Sequence, residues 1–220
     1  MKKNWKVVCI ADTHTQHEAL ELPEGDMIVH AGDATYRGTL QEVEQFAYWF
    51  GKTPYLQKIF IAGNHDFLFQ DQPHLAKTIM QENGIIYLQD EAVTLHNPEI
   101  EKPITLYGTP HTPFFFDWAF NEYEEKLKDI YGMIPENLDI LLTHGPAYGI
   151  LDEVCQDFKQ KWLGSVALRN RIYEAKPRFH VFGHIHEGYG QKFLGETTFI
   201  NATVCDKHYR PINAPIAIEV

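Results

Sequence analysis

Five short apolar runs mark the chain, and each is followed directly by polar side chains. The runs cover residues 6–11, 27–31, 58–62, 138–142 and 179–182. Uninterrupted apolar runs of this length, bounded by turn residues, are typical of strands that are covered on both faces. The pattern therefore predicts a buried, largely parallel sheet arrangement in the α/β class.

Stretches with helical spacing separate these runs. Thr39 and Glu42 form the sequence signature of a capping box, and apolar residues recur at helical intervals through Phe50. Residues 73–83 predict a second helix that ends at Gly84. Two further helices are expected at residues 118–131 and 165–175.

The middle and the tail of the chain have a different pattern. Residues 85–88, 92–95 and 104–107 predict short strands in an antiparallel meander, and residues 150–162 an exposed loop. Three more strands are expected at residues 191–194, 197–203 and 214–220. The sequence contains no internal repeat and no linker, so we expect residues 1–220 to form a single domain.

Composition and charge exclude several classes of function. The 30 acidic residues outnumber the 19 basic ones, which gives a net charge of −11, and no basic track is present. A protein that holds long nucleic acid normally has such a track, so no long nucleic acid is expected as a partner. The sequence has neither an apolar run of transmembrane length nor an apolar segment typical of a signal peptide. Three widely spaced cysteines fit a reducing compartment, and we expect a cytoplasmic protein without membrane contact.

Each of the five predicted strands ends in candidate metal ligands. In order, these residues are Asp12 and His14, Asp33, Asn64 with His65, His144, and His184 with His186. Sites of open α/β sheets gather beyond the carboxyl ends of the strands, so these side chains are expected to meet. Oxygen and nitrogen ligands without sulfur suit Mn, Fe, Zn, Mg, Co or Ni ions.

The number of ligands indicates two ions, because about seven protein ligands exceed what one ion needs. A carboxylate is the natural bridge between them. Two divalent ions, less two aspartates and one hydroxide, leave a charge of about +1, which attracts phosphate. Ions roughly 3.5–4 Å apart can activate a hydroxide and hold a phosphoryl group for in-line attack.

The motifs resemble those of the calcineurin-like metallophosphoesterase superfamily. They appear in the family's order as Asp12-Thr13-His14, Gly32-Asp33, Gly63-Asn64-His65-Asp66, Thr143-His144-Gly145-Pro146 and Gly183-His184-Ile185-His186. Flanking residues 30–33, 117–121 and 184–190 are similar to the small class III phosphodiesterases called metallophosphoesterase-domain-containing proteins. Some of those relatives carry glycine at the position of His184, which this chain keeps.

The resemblance implies a fold and a role for each residue. The fold would be a four-layer αββα sandwich with two facing mixed β-sheets. Asp12, His14, Asp33 and His186 would hold one ion, and Asp33, Asn64, His144 and His184 the other. Manganese is the first expectation for both ions. His65 would act as general acid, and Asp66 would orient His65 and raise its basicity. Dimers are common in the family, so a homodimer is also expected.

The expected activity is hydrolysis of a small phosphodiester, such as a cyclic nucleotide or an aryl ester, by a metal-bridging hydroxide. A phosphomonoesterase or phosphoprotein phosphatase is the nearest alternative, because the same centre attacks both kinds of ester. A hypothesis from a different functional class is a non-catalytic scaffold protein that keeps the fold. Candidates for lining the substrate pocket are His17, His111, Trp118, Tyr148, Glu187 and Tyr189.

Overall fold

The computed structural model describes residues 4–156 and 159–220. Its helices are α1 (Leu40–Lys52), α2 (Phe67–Asp71), α3 (Pro73–Glu82), α4 (Glu124–Gly132) and α5 (Val166–Ala175), with short 3-10 turns at His17–Ala19 and His186–Gly188. The strands are β1 (Lys6–Ile10), β2 (Met27–Ala31), β3 (Gln57–Ile61), β4 (Ile86–Tyr87), β5 (Glu91–Asn97), β6 (Ile100–Thr109), β7 (Thr112–Pro113), β8 (Asn121–Glu122), β9 (Ile140–Thr143), β10 (Glu153–Gln156), β11 (Lys159–Trp162), β12 (Phe179–Phe182), β13 (Gly190–Leu194), β14 (Thr197–Asn201) and β15 (Ile216–Glu219).

Two mixed sheets form the centre of the fold. The first has the strand order β15-β1-β2-β3-β4 and the second β13-β14-β12-β9-β6-β5. In the first, β1 to β4 are parallel and β15 pairs antiparallel with β1. In the second, β14, β12, β9 and β6 are parallel, and antiparallel β13 and β5 lie at the edges. The parallel strands bring their carboxyl ends to one edge of each sheet.

Alternation along β1 shows how the layers are built. Val7 and Cys9 pack between the two sheets, whereas Val8 and Ile10 pack on the opposite face against Val43 of α1. Successive side chains of a strand point to opposite faces, so one apolar strand serves two cores. A third cluster covers the outer face of the second sheet with α4 and α5. The four layers are therefore αββα, which confirms the predicted fold class.

Local sequence signals set several helix boundaries as predicted. Thr39 accepts a hydrogen bond from the Glu42 amide, and the Glu42 side chain accepts one from the Thr39 amide, so the capping box at α1 is complete. Ser165 caps α5 by accepting from the Leu168 amide.

The helix predicted at residues 118–131 begins later, at Glu124. Phe116 and Phe120 have left-handed backbones with φ of 54° and 56°, which interrupt a helix. Residues 121 and 122 pair instead with residues 112 and 113 as β8 and β7. Tertiary pairing of this loop thus prevails over its local helical spacing.

Two other expectations also differ from the structure. Residues 150–162 contain the hairpin of β10 and β11 rather than only a loop, and the expected loop includes residues 157 and 158, outside the described part. The buried Asp152 carboxylate closes the base of this segment by accepting from the amides of Gly149 and Gly164. In the predicted meander, β4 joins the first sheet in parallel, and only β5 and β6 form an antiparallel pair.

Across residues 4–156 and 159–220, no helix is both long enough and apolar enough to cross a membrane.

Candidate metal centre

The loops after five parallel strands meet where the two sheets face each other. They bring together the side chains of Asp12, His14, Asp33, Asn64, His144, His184 and His186, all of which the sequence marks as ligands. β1, β2 and β3 of the first sheet and β9 and β12 of the second supply them. The buried apolar strands fix the backbone on one side, and the polar residues begin where each strand stops.

Four of these residues have strained backbones. The φ angles are 54° at Asp12, 41° at His14, 56° at Asp33 and 68° at His184. Residues other than glycine rarely adopt this left-handed conformation, and such strain concentrates at functional sites. Hydrogen bonds from the tightly packed loops maintain it, including those from the His184 amide to the Asp12 carboxylate, at 3.0 Å.

Four histidines are anchored in the same way. The Nδ1 atom of His14 lies 3.2 Å from the Thr35 carbonyl oxygen. The Nδ1 atom of His144 lies 2.9 Å from the Ala31 carbonyl oxygen, and that of His186 lies 2.8 Å from the Asp206 carbonyl oxygen. In His65, Nδ1 lies 2.8 Å from the Tyr36 carbonyl oxygen. A carbonyl only accepts, so each Nδ1 carries a hydrogen and each neutral ring presents the Nε2 lone pair to the centre.

The spacing of the inward-facing atoms fits metal ions. His14 Nε2 lies 3.3 Å from His186 Nε2, and His144 Nε2 lies 2.9 Å from Asn64 Oδ1. Facing lone pairs at these distances need a proton or a cation between them. Two ligands about 2.1 Å from one ion lie roughly 3.0–3.4 Å apart for right-angle and tetrahedral geometry, close to both distances.

Asp33 lies between two groups of ligands. One group is Asp12, His14 and His186, and another is Asp33, His144 and His184. The Oδ2 atom of Asp33 is 3.4 Å from His144 Nε2 and 3.8 Å from His14 Nε2, so it faces a member of each group. Its position agrees with that of a bridging carboxylate.

The aspartates and histidines of the centre shift one another's pKa. Burial would raise the pKa of Asp12, but its hydrogen bond and charge interaction with His186 lower it to about 2. Burial would lower the pKa of His144 and of His186, but Asp33 and Asp12 respectively raise them to about 9. Burial lowers the pKa of His14 to about 4. The two carboxylates thus remain ionised and demand compensating positive charge, which protons or metal ions supply.

Asp66 differs from its expected role. Its buried carboxylate accepts from the amides of Gly63, Asp33, Ala34 and Thr35 and from the Thr35 hydroxyl, at 2.7 to 3.3 Å. The Nδ1 atom of His65 bonds to the Tyr36 carbonyl oxygen and not to Asp66. Burial and the Asp33 charge raise the pKa of Asp66 to about 6, and its hydrogen bonds limit the rise. Asp66 therefore fastens two loops rather than orienting His65.

A cavity of about 250 Å³ opens above the centre. Asp33, Asn64, His65, His184 and His186 line its floor, and Trp118 and Glu187 line its sides as the sequence suggested. A larger cavity of about 750 Å³ lies near Lys6, Asp26 and Tyr55, close to the opposite ends of the strands, away from these candidate ligands. We take the smaller cavity as the candidate active site, because the candidate metal ligands line it.

Four predicted pocket residues lie outside this cavity. The buried His17 ring packs on Trp49, with ring centroids 4.7 Å apart. His111 bonds to Asp90 at 2.9 Å, and the Tyr148 ring lies under the Arg169 guanidinium. The Tyr189 hydroxyl donates to the Ala214 carbonyl, and its side chain lines a neighbouring cavity with His186 and Glu187. Proximity in sequence to a metal-binding motif thus did not place His17, Tyr148 or Tyr189 in the site, and neither did the aromatic loop place His111 there.

Sequence reasoning missed several side chains at the site. They are Asn121, Ile185, Lys207 and Tyr209, which line the cavity together with Phe115 of the aromatic loop. The Tyr36 ring packs 5.2 Å from that of Tyr209. The Tyr209 ring contacts His14 edge-on at a centroid distance of 4.7 Å. Lys207 and Tyr209 belong to a turn held by Asp206, whose carboxylate accepts from the amides of His208 and Arg210. An aspartate at the start of a polar stretch indicates such a turn in the sequence. It does not indicate that the turn lies over the metal centre.

Comparison with known proteins agrees with the class of site. The sequence profile of calcineurin-like phosphoesterases matches residues 6–188. That span contains all seven candidate ligands and His65. The chain belongs to the calcineurin-like phosphoesterase family.

Similarity to individual proteins of that family is more specific. The chain is 40% identical to human metallophosphoesterase domain-containing protein 1 over 239 residues, covering 98% of this chain and 71% of the relative. It is 34% identical to a Caenorhabditis elegans protein of the UPF0046 group, covering 98% of this chain and 80% of that one. These likenesses confirm the resemblance to the metallophosphoesterase-domain-containing proteins.

Solved structures share the fold at low identity. A phosphopantetheinyl hydrolase of Mycobacterium tuberculosis superposes with a TM-score of 0.67 at 14% identity, covering 98% of this chain and 97% of that chain. The TT1561 protein of Thermus thermophilus gives 0.60 at 15% identity, covering 90% and 89%. At these identities the likeness concerns the fold alone.

Proposed function

We infer that this protein is a phosphodiesterase that depends on two divalent metal ions and hydrolyses small phosphodiesters. The observation that carries this inference is that Asp33 faces His14 on one side and His144 on the other, so that it connects two groups of ligands, with His65 beside it. Asp12, His14, Asp33 and His186 would hold one ion, and Asp33, Asn64, His144 and His184 the other. The bound ions, manganese in the first instance, would supply a nucleophile at neutral pH and neutralise charge on the phosphoryl oxygens.

His65 is the group that moves a proton. Its backbone amide donates to Asp33 Oδ1 at 2.8 Å, and its Nε2 atom lies 3.9 Å from Asp33 Oδ2. Its Nδ1 hydrogen bonds to the Tyr36 carbonyl, so the ring is held with Nε2 toward the cavity. When the ring carries a second proton, on Nε2, it can pass that proton to the oxygen of the departing alcohol and keep the Nδ1 hydrogen, which is the role of a general acid.

The charges that line the cavity favour phosphodiesters over phosphomonoesters as substrates. The cavity is small, and Lys207 is its one Lys or Arg among the lining residues, while Glu187 adds a negative charge. A diester monoanion suits this mixed lining better than a doubly charged monoester, although the same centre attacks both. The complete ligand set and the presence of His65 argue against a non-catalytic scaffold.

The proposal is tested with protein that is stripped by a chelator and refilled with manganese. Clear hydrolysis of bis(4-nitrophenyl) phosphate, faster than that of 4-nitrophenyl phosphate, is the expected result. Preference for the monoester would assign a phosphatase instead. Two bound metal ions without turnover of either ester would support the scaffold.

His65→Ala tests the general acid. We expect full metal content and a loss of kcat/KM of roughly 100-fold or more for a phenolate leaving group, with a smaller loss for 4-nitrophenolate, which departs without a proton. His74→Ala, on the exposed face of α3, is the matched control and should change neither. Equal losses for both leaving groups would remove the general-acid role from His65.

A further inference from the structure

The two sides of the candidate active site differ in chemistry. The loop before α4 contributes Phe115, Trp118 and Asn121 to its lining, and the segments around His186 contribute Glu187, Lys207 and Tyr209. The Trp118 ring lies against His65, whereas Glu187 and Lys207 line a second cavity together with His186. A substrate that crosses the metal centre therefore meets the Trp118 and Phe115 rings at one end, and the charged Glu187 and Lys207 beside the Tyr209 ring at the other.

Trp118 lies directly against the proposed general acid. Its ring centroid is 4.4 Å from that of His65, and the two planes are inclined by 34°. The indole is partly exposed and lines the cavity. It therefore faces the space that a substrate would enter, in addition to packing on His65. Phe115 precedes Trp118 on the same loop, with 60% of its surface exposed to solvent. An exposed ring at a cavity rim is a surface on which a planar group can stack.

The loop that carries both rings is held in place before any substrate binds. The Ala119 amide donates to the carbonyl oxygen of Asn64, a candidate metal ligand, at 3.2 Å. The Phe120 amide donates to the Gln70 side chain at 2.7 Å, and the Asn121 side chain donates to the Phe115 carbonyl at 2.7 Å. Such a preorganised wall loses little conformational entropy on binding.

We propose that Trp118 and Phe115 bind a planar aromatic leaving group, so that substrates enter the site in one orientation. This rests on the proposed function, in which His65 protonates the leaving oxygen. The leaving oxygen must lie at His65, so the group attached to it extends along the Trp118 ring. The retained substituent then points to the side of Glu187 and Lys207. The substrate class is thus a phosphodiester of an alcohol that carries a planar ring.

Two substrates with the same leaving group separate this orientation from its reverse. They are methyl 4-nitrophenyl phosphate and phenyl 4-nitrophenyl phosphate, which differ only in the retained substituent. If Trp118 binds the leaving group, Trp118→Leu lowers kcat/KM by about ten-fold for both substrates, the effect of one lost ring contact. A loss confined to the phenyl ester would show that the ring binds the retained group and would overturn the orientation.

Binding without turnover tests the aromatic surface independently of catalysis. The manganese-loaded protein is titrated with phenylphosphonate and methylphosphonate in a calorimeter. The wild type should prefer the phenyl compound by about ten-fold, and Trp118→Leu and Phe115→Leu should each reduce that preference, whereas Trp118→Phe should retain most of it. Equal affinity of the wild type for both compounds, or an unchanged preference in Trp118→Leu, would refute the proposal.

Phe114→Leu is the matched control. Phe114 lies on the same loop and is half exposed, but its ring stacks on Tyr123 at 4.7 Å and does not line the cavity. The Phe114→Leu variant should prefer phenylphosphonate over methylphosphonate as strongly as the wild type does. An aromatic preference that depends on Trp118 without any diester turnover would keep the aromatic binding surface and refute the proposed function. Diester turnover without that preference would keep the proposed function and refute this inference.

Discussion

Asp66 connects the loops after β2 and β3 through one buried carboxylate. Three amides of the first loop and one of the second donate to it, and the Thr35 hydroxyl donates a fifth hydrogen bond. These loops carry Asp33, Asn64 and His65. The two oxygens of one carboxylate accept from five donors, which explains why an acidic residue follows His65 in the sequence, and its effect on the site is one of position.

Asp66→Asn should therefore lower stability and not merely activity. The amide keeps one acceptor oxygen, but its NH₂ group faces backbone amides that then lack an acceptor. We expect a loss of about 3 kcal/mol or more in the free energy of unfolding, measured by denaturant titration of the metal-free protein. Asp71→Asn, an exposed change in α2, should stay within about 0.5 kcal/mol of the wild type. Unaltered stability with a shifted pH profile of kcat would instead show that Asp66 acts on His65.

At the scale of elements, glycines let the strand ends of the two sheets approach each other. A Cβ atom on Gly183, just after β12, would lie 2.0 Å from the Asp12 carboxylate after β1. A Cβ on Gly32, after β2, would lie 2.5 Å from His144 Nδ1, and Gly32 has a φ of +96°. The ligands of the two sheets thus meet across positions where a side chain does not fit.

Gly183→Ala should displace Asp12 and weaken metal binding. The added methyl group occupies the space of the Asp12 carboxylate, so we expect manganese affinity to fall by about ten-fold or more, within the range seen when the surroundings of metal ligands are altered. The measurement is calorimetric titration of the chelator-stripped protein with Mn²⁺. Gly132→Ala, at the end of α4 where a Cβ would meet open space, is the control and should bind manganese normally. Wild-type affinity in Gly183→Ala would show that Asp12 is not required as a ligand.

Elements differ in how far the sequence predicts them. β2 and β12 have the predicted bounds, because an apolar run that stops at polar residues is a local signal. The ends of such strands also point to the candidate ligands. The loop before α4 was misassigned because its conformation depends on distant partners, such as Gln70 bonding to the Phe120 amide. Lys207 and Tyr209 were missed for the same reason, since only the folded chain brings their turn beside His186.

At the scale of the whole molecule, the outer cores hold histidines that the metal centre does not use. His180 lies in β12 and is fully buried, with Nε2 bonded to the Thr143 hydroxyl at 2.8 Å. Thr143 donates its own hydrogen to the Gly145 carbonyl, so His180 is the donor in this bond. Its Nδ1 atom has no partner within the described residues. Protonation would therefore bury an unpaired N–H group with its charge.

This arrangement makes stability depend on pH in a defined direction. Burial lowers the pKa of His180 to about 3 and that of His17 to about 4 in the folded protein. In the unfolded chain these histidines take up a proton near pH 6.5, so between that pH and the folded pKa the unfolded state binds more protons. Stability from this source is complete above about pH 6.5 and falls as the pH is lowered toward the folded values. Each histidine contributes a slope of up to about 1.4 kcal/mol per pH unit.

His180→Gln should flatten the dependence of stability on pH. Glutamine keeps a donor for Thr143 but does not titrate, so the loss of unfolding free energy between pH 7 and pH 5 should shrink by about 2 kcal/mol relative to the wild type. Denaturant titrations at both pH values, with a chelator present throughout, measure that difference. His96→Gln, an exposed change in β5, should leave it unaltered. The comparison uses the change with pH rather than stability at one pH, so any packing cost of the substitution cancels. An equal fall in the wild type and in His180→Gln would mean that His180 is protonated as readily in the core as in the unfolded chain.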